Sequence, residues 1–187
     1  MKIDIFNHIL PPRFFAKVLE VARQHADMGK RVRNIPLLVD LAARFRMMDE
    51  FGAYCQVISL PTPPLEVYAG PELSPLLARI ANDGMAELVQ RHPDRFPGFV
   101  ASLPMNHPEE AVGELDRAIR ELGARGVQVY SNAAGRPLDD PVFAPLFERM
   151  ATHDLPVFLH PARGAEMTDY AAEPKSRYEI WWTFGWP

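Results

Sequence analysis

Five short apolar runs alternating with helical patterns constrain this chain more than any other feature. They read KIDIF (2–6), CQVISL (55–60), GFVASL (98–103), GVQVY (126–130) and PVFLH (156–160). Each is rich in Val, Ile, Phe and Leu, the composition of strands covered on both faces. Between them lie segments with helical spacing and helical punctuation. RFFAKVLEVARQH (13–25) follows a proline pair, and PLLVDLAARFRMMDEFG (36–52) carries Leu38, Leu41, Phe45 and Met48 as one apolar stripe. SPLLARIANDGMAELVQRHP (74–93) offers Ser74 as N-cap, Pro75 at the first helical position and Pro93 as a stop. PEEAVGELDRAIRELG (108–123) opens on carboxylates and closes on Gly123, and DPVFAPLFERMATHD (140–154) sets Asp140 ahead of Pro141.

Strand alternating with helix is the α/β class, and 187 residues without a linker or repeat predict one domain over 1–187. A net charge of −4 with no basic run argues against a nucleic-acid partner. No run of apolar residues approaches the length of a membrane span, so no membrane partner is expected either. The lone Cys55 excludes an internal disulfide, and Lys2 leads straight into a strand without a secretory leader, so the expected compartment is the cytoplasm. No glycine-rich phosphate loop and no G-x-S-x-G elbow occurs, which leaves nucleotide binding and serine hydrolysis without support.

Chemistry concentrates at the ends of two strands. Alternation puts residues 6 and 8 on one side of the first strand; with Ile3 and Ile5 toward the helices, Asp4, Phe6 and His8 face away from them. His160 ends the fifth strand. In a barrel both histidines reach the C-terminal rim, the arrangement of a divalent metal site. The plainer alternative is a pair of hydrogen-bonded loop histidines. Arg163, in the loop after His160, has the fork that grips a carboxylate; its alternative is a surface pair with Glu166 or Asp169. Arg31 and Arg33 read as a solvated basic loop, and Glu173 as a polar loop residue. His25, His92, His107 and His153, at helix ends, read as structural, Met47 and Met48 as core filler, and Cys55 as the start of a buried strand.

The segments IDIFNHILP, FPGFVASLPM, LGARGVQVYSN, PLDDPVFAPLFERM, PVFLHPAR and YEIWWTFGWP together resemble the amidohydrolase-related proteins that include aminocarboxymuconate semialdehyde decarboxylase and γ-resorcylate decarboxylase. The resemblance spans essentially the whole chain. It implies a (β/α)8 TIM barrel of the metal-dependent hydrolase type, of which this chain carries about five of eight βα units. It also implies zinc or manganese as cofactor, a small carboxylate-bearing and aromatic substrate, and either decarboxylation or hydrolysis. Carried over residue by residue, His8 and His160 match metal ligands, while Phe6 stands where the family has its first ligand. The family's later His and the Asp that ends its eighth strand have no counterpart here. The chain runs out on Trp186-Pro187, so it is expected to be the N-terminal portion of a longer barrel and inactive alone. Pairing within the family and the apolar tail together suggest a homodimer.

Two other readings stay open. In one, Phe6 marks a non-catalytic barrel whose metal site has decayed and which binds a small carboxylate or a partner subunit. Alternatively, five βα units suit an open doubly wound sheet. Strand order separates these, sequential for a barrel and 2-1-3-4-5 for a flavodoxin-like sheet.

Overall fold

The computed structural model describes residues 1–21, 35–162, 168, 170–174 and 177. All five expected strands form: β1 (Lys2–His8), β2 (Tyr54–Ser59), the pair β3 (Gly98–Phe99) and β4 (Ala101–Ser102), β5 (Val127–Tyr130) and β8 (Val157–His160). β3 and β4 are two halves of one strand. The Val100 N–H donates back to Ile58 of β2, and the Ala101 N–H donates forward to Gly126 before β5. Pairing is parallel throughout, β1 to β2 to β3 and then β4 to β5 to β8. The strands therefore stand side by side in chain order. That is the order of a barrel sector, and it rules out the flavodoxin-like sheet.

The helices are α1 (Pro12–Val21), α2 (Leu41–Asp49), α3 (Leu65–Tyr68), α4 (Ser74–Arg91), α5 (Pro108–Arg120) and α6 (Ala144–His153). Several boundaries differ from expectation, each for a local reason. The stretch from Pro36 makes a single 3-10 turn, Pro36–Leu38, before Asp40 caps α2 by accepting from the Ala43 N–H at 3.0 Å. Ser74 is not a cap. It lies inside α4, fully buried, and its hydroxyl donates to Asn106 Oδ1 at 2.6 Å. Asp140 caps a 3-10 turn, Pro141–Phe143, ahead of α6. Two elements were not foreseen: α3, and a small antiparallel hairpin of β6 (Asn132–Ala133) and β7 (Arg136–Pro137) just past β5.

The core lies between the strands and the helices on one face, with Phe14, Met48, Ile58, Leu77, Phe99 and Leu115 all essentially without exposure. One polar bridge crosses it. Asn82 of α4, fully buried, donates to the Ser102 carbonyl at 2.9 Å and to Glu114 Oε1 at 2.7 Å, and accepts from the Ser102 N–H at 2.9 Å. Glu114 in turn receives Arg117 in a two-point contact at 2.8 Å each. α4, β4 and α5 are thus fixed to one another by a network in which each buried polar group has a partner. Helix α4 also needs a small residue at Gly84, where a Cβ would come within 2.5 Å of Pro11 Cβ at the start of α1.

The outer strands are less well covered than composition suggested. Ile3 and Ile5 are 53% and 55% exposed, and Leu159 on β8 is 59% exposed. No helix among the described residues is long and apolar enough to cross a membrane.

Candidate active site at the C-terminal ends of the strands

A β-bulge shapes the end of β1. Asp4 pairs with Gln56 but Asn7 pairs with Ile58, so β1 carries one residue more than β2 over this stretch. The Phe6 N–H turns to Asp4 Oδ1 at 2.9 Å, and the Asn7 amide donates to the Asp4 carbonyl at 3.1 Å and the Val57 carbonyl at 3.0 Å. Asp4 does not face the interior as expected. Its carboxylate accepts from Tyr54, which accepts from Gln56, and Gln56 accepts from Arg44 of α2. Asp4 and Asn7 therefore belong to the helix side, and alternation turns Ile3 and Ile5 the other way, where they are exposed.

Arg44 anchors this corner from within the core, 3% exposed. It donates to the Leu37 carbonyl at 3.0 Å, to Asn7 Oδ1 at 3.2 Å, to Gln56 Oε1 at 2.6 Å and to the His8 carbonyl. One guanidinium thus holds the turn before α2, the bulge and the backbone of His8 in a single arrangement.

His8 and His160 come together, with ring centroids 5.5 Å apart. Phe6 completes the group, lying edge-on to His8 at 6.0 Å and stacked on His160 at 6.1 Å, only 13° from parallel. Both Phe6 and His8 therefore reach the His160 side, as the sequence implied. The ring of Phe6 remains 62% exposed, an aromatic face open to the rim.

The tautomers of both histidines follow from their partners. The Ser59 hydroxyl gives its one proton to the Asn7 carbonyl at 3.0 Å, so at its 3.0 Å contact with His8 Nδ1 the ring is the donor. His160 Nδ1 lies 2.7 Å from the Pro161 carbonyl, which can only accept. Each ring thus carries its proton on Nδ1 and its lone pair on Nε2, the nitrogen a metal takes. Burial, followed by the neighbouring His160 and Arg44, pushes His8 down to about 4, and burial lowers His160 as well. Both rings are neutral at pH 7, the state that ligation requires.

Tyr130 closes another side, its ring 5.0 Å from that of His160. Its hydroxyl donates to the Pro61 carbonyl at 3.3 Å and accepts from Gln128 at 3.1 Å, while Gln128 also donates to the Leu60 carbonyl at 3.1 Å. β5 thereby ties down the loop that leaves β2. Glu66 stands just beyond that loop, with both carboxylate oxygens buried and unpartnered.

The other expectations divide cleanly. His107 caps α5, His153 pairs with Asp116 at 2.7 Å, and His92 packs edge-on to Phe45, all structural as read. Arg163, Arg31, Arg33, His25, Glu166 and Asp169 lie outside the described residues. Tyr130, Ser59 and Glu66 were missed. Only their places at or just past strand ends gave any signal, since the contacts that define them span far-apart segments.

Among the described residues no three His, Cys, Asp or Glu side chains gather into a metal site. A catalytic zinc site uses three protein ligands and an open position. His8 and His160 fit as two members of such a set, and Phe6, with no donor atom, cannot be the third.

Comparison with known proteins decides the family. The amidohydrolase family model matches residues 39–184, most of the chain. The chain belongs to the amidohydrolase family. This amidohydrolase chain is 33% identical over its full length to 2-amino-3-carboxymuconate-6-semialdehyde decarboxylase of Dictyostelium discoideum, covering 55% of that protein. Over 63% of its length it is 40% identical to γ-resorcylate decarboxylase of a Polaromonas species, covering 38% of that protein. Among solved structures, 5-carboxyvanillate decarboxylase of Novosphingobium aromaticivorans, complexed with manganese and 4-hydroxy-3-methoxy-5-nitrobenzoic acid, superposes with a TM-score of 0.77. It is 25% identical, and the match covers all of this chain and 55% of the other. The chain spans about half the length of the relatives it matches. Its five strands in chain order are the corresponding part of the amidohydrolase α/β barrel.

Proposed function

We propose that residues 1–187 form part of one barrel domain of a metal-dependent, nonoxidative decarboxylase acting on a small aromatic carboxylate. His8 and His160 are two of its metal ligands in this reading. The observation that carries it is the pairing of two imidazoles 5.5 Å apart, His160 buried and His8 half-buried, each with Nδ1 tied to a neighbour. The names of the relatives support the substrate class, and the manganese in the carboxyvanillate enzyme supports a divalent ion. Manganese or zinc held here supplies Lewis-acid polarisation of a carboxylate or hydroxyl oxygen.

The chain's own residues do the positioning. Ser59 and the Pro161 carbonyl fix the two imidazoles, and Arg44 fixes the backbone of His8. The open ring of Phe6 gives an aromatic substrate a face to stack on. Arg163 belongs to the same reading as the fork for the substrate carboxylate, in the loop that follows His160. Decarboxylation takes precedence over hydrolysis because the relatives named here are decarboxylases.

Elemental analysis after dialysis against manganese or zinc tests the ligand assignment. Near-stoichiometric metal in the wild type, lost in His8→Ala and in His160→Ala, is the expected result. A second reading, a non-catalytic barrel with a decayed site, rests on Phe6 and on the lack of a third donor among the described residues. A wild-type protein that takes up neither metal favours it and removes the decarboxylase reading.

A further inference from the structure

His160 owes the place of its ring proton to the Pro161 carbonyl, 2.7 Å from Nδ1. What aims that carbonyl lies one strand away. β5 and β8 stay in register to their last pair, Tyr130 with His160, and the Ser131 N–H extends the ladder by donating to the His160 carbonyl at 2.9 Å. From there the Ser131 side chain takes over. Its hydroxyl accepts from the Ala162 N–H at 2.9 Å and donates to the Ala162 carbonyl at 3.1 Å. Asn132 donates to the same carbonyl at 3.0 Å. Its amide is turned that way because its oxygen accepts from the Gly135 N–H at 3.0 Å, in the turn between β6 and β7.

The Pro161 carbonyl and the Ala162 N–H belong to one planar peptide unit. In a trans unit the two point opposite ways, so a hydroxyl that takes the N–H on one side sets the direction of the carbonyl on the other. Turning the unit would cost the Ser131 contact and the His160 contact together. His8 is held by a shorter version of this device, since the Ser59 hydroxyl at the end of β2 meets its ring directly. Each imidazole is thereby set by a serine at, or just past, the end of the neighbouring strand.

We infer that Ser131 is a positioning residue for His160. Its hydroxyl holds the Pro161–Ala162 peptide so that the carbonyl keeps the ring proton on Nδ1 and Nε2 is the nitrogen turned to a divalent ion, while Asn132 braces the same loop. The inference rests on the decarboxylase reading and deepens it, by naming what prepares one of the two ligands. Ser131 is exposed, so its replacement spares the core and its effect is read at the ring and at the ion.

Nitrogen-15 spectra of the metal-free chain at pH 7 supply the first readout. Manganese affinity, from the loss of the free ion's paramagnetic resonance signal, supplies the second. In the wild type His160 should stand as the Nδ1–H tautomer. Ser131→Ala should turn His160 alone into a tautomer mixture, whereas a general loosening of the fold would disturb His8 as well. The same variant should bind manganese about tenfold more weakly, the low end of what groups behind a ligating histidine contribute. Ser131→Thr keeps the hydroxyl, has room for the added methyl at an exposed position, and should match the wild type in both readouts. Three results overturn the inference alone: a wild type with the His160 proton on Nε2, a Ser131→Ala protein that leaves either readout unmoved, or a Ser131→Thr protein that falls as far as Ser131→Ala. A wild type that takes up no manganese overturns the decarboxylase reading together with it.

Discussion

Ser59 shows how much a single hydroxyl decides. By giving its proton to Asn7 it makes His8 a donor at Nδ1 and fixes where the lone pair stands. Nitrogen-15 spectra of the imidazoles should show His8 as the Nδ1–H tautomer at pH 7, and Ser59→Ala should produce a tautomer mixture with weaker manganese binding. A His8 spectrum unchanged in Ser59→Ala contradicts the assignment. Phe6 allows a more direct trial. Its ring is 6.0 Å from His8 and 6.1 Å from His160, so Phe6→His sets a third imidazole at the same cluster. Zinc affinity should rise at least about tenfold, read by competition with a chelating dye, since a catalytic site takes three protein ligands. An unchanged affinity shows that residue 6 points its side chain away from the ion. His8 and His160 were legible in the sequence because a strand end reveals itself in one dimension. Ser59, Tyr130 and Glu66 were not, because their meaning depends on partners from distant segments.

At the scale of elements the sequence was a good guide to existence and a poorer one to edges. All five strands and the long helices stand where the apolar pattern put them. Caps were misread where a tertiary partner outbid a local one, as when Ser74 turned from the α4 terminus to Asn106. The faces of β1 were misread because a bulge breaks strict alternation, and nothing local in KIDIFNH announces it. The bridge through Asn82 was invisible for the same reason. Asn82→Ala removes three buried hydrogen bonds, two of them to the Ser102 backbone, which predicts a loss of about 2–4 kcal/mol in urea unfolding. A loss below about 1 kcal/mol would mean that water takes over the amide's role. Gly126 makes a second case, since a Cβ there would meet the Pro156 carbonyl oxygen at 2.5 Å. Gly126→Ala should destabilise the β5–β8 junction, seen as faster amide exchange at Val127 and Val157.

For the whole molecule, the unpaired flanks of the sheet govern behaviour in solution. Among the described residues β1 pairs only with β2 and β8 only with β5, and Ile3, Ile5 and Leu159 are exposed beside those flanks. Open apolar edges invite pairing with another chain. The 187-residue chain should self-associate at micromolar concentrations in light scattering, and Ile5→Lys with Leu159→Lys should shift it toward monomer. A wild type that stays monomeric would show that residues outside those described cover the edges. The sequential order of the strands has a consequence of another kind. Each barrel strand after β1 pairs with the barrel strand before it in the chain, so each βα unit emerging from a ribosome finds its docking edge already made. Synthesis and assembly can then run in the same direction, one unit at a time, from β1 toward β8.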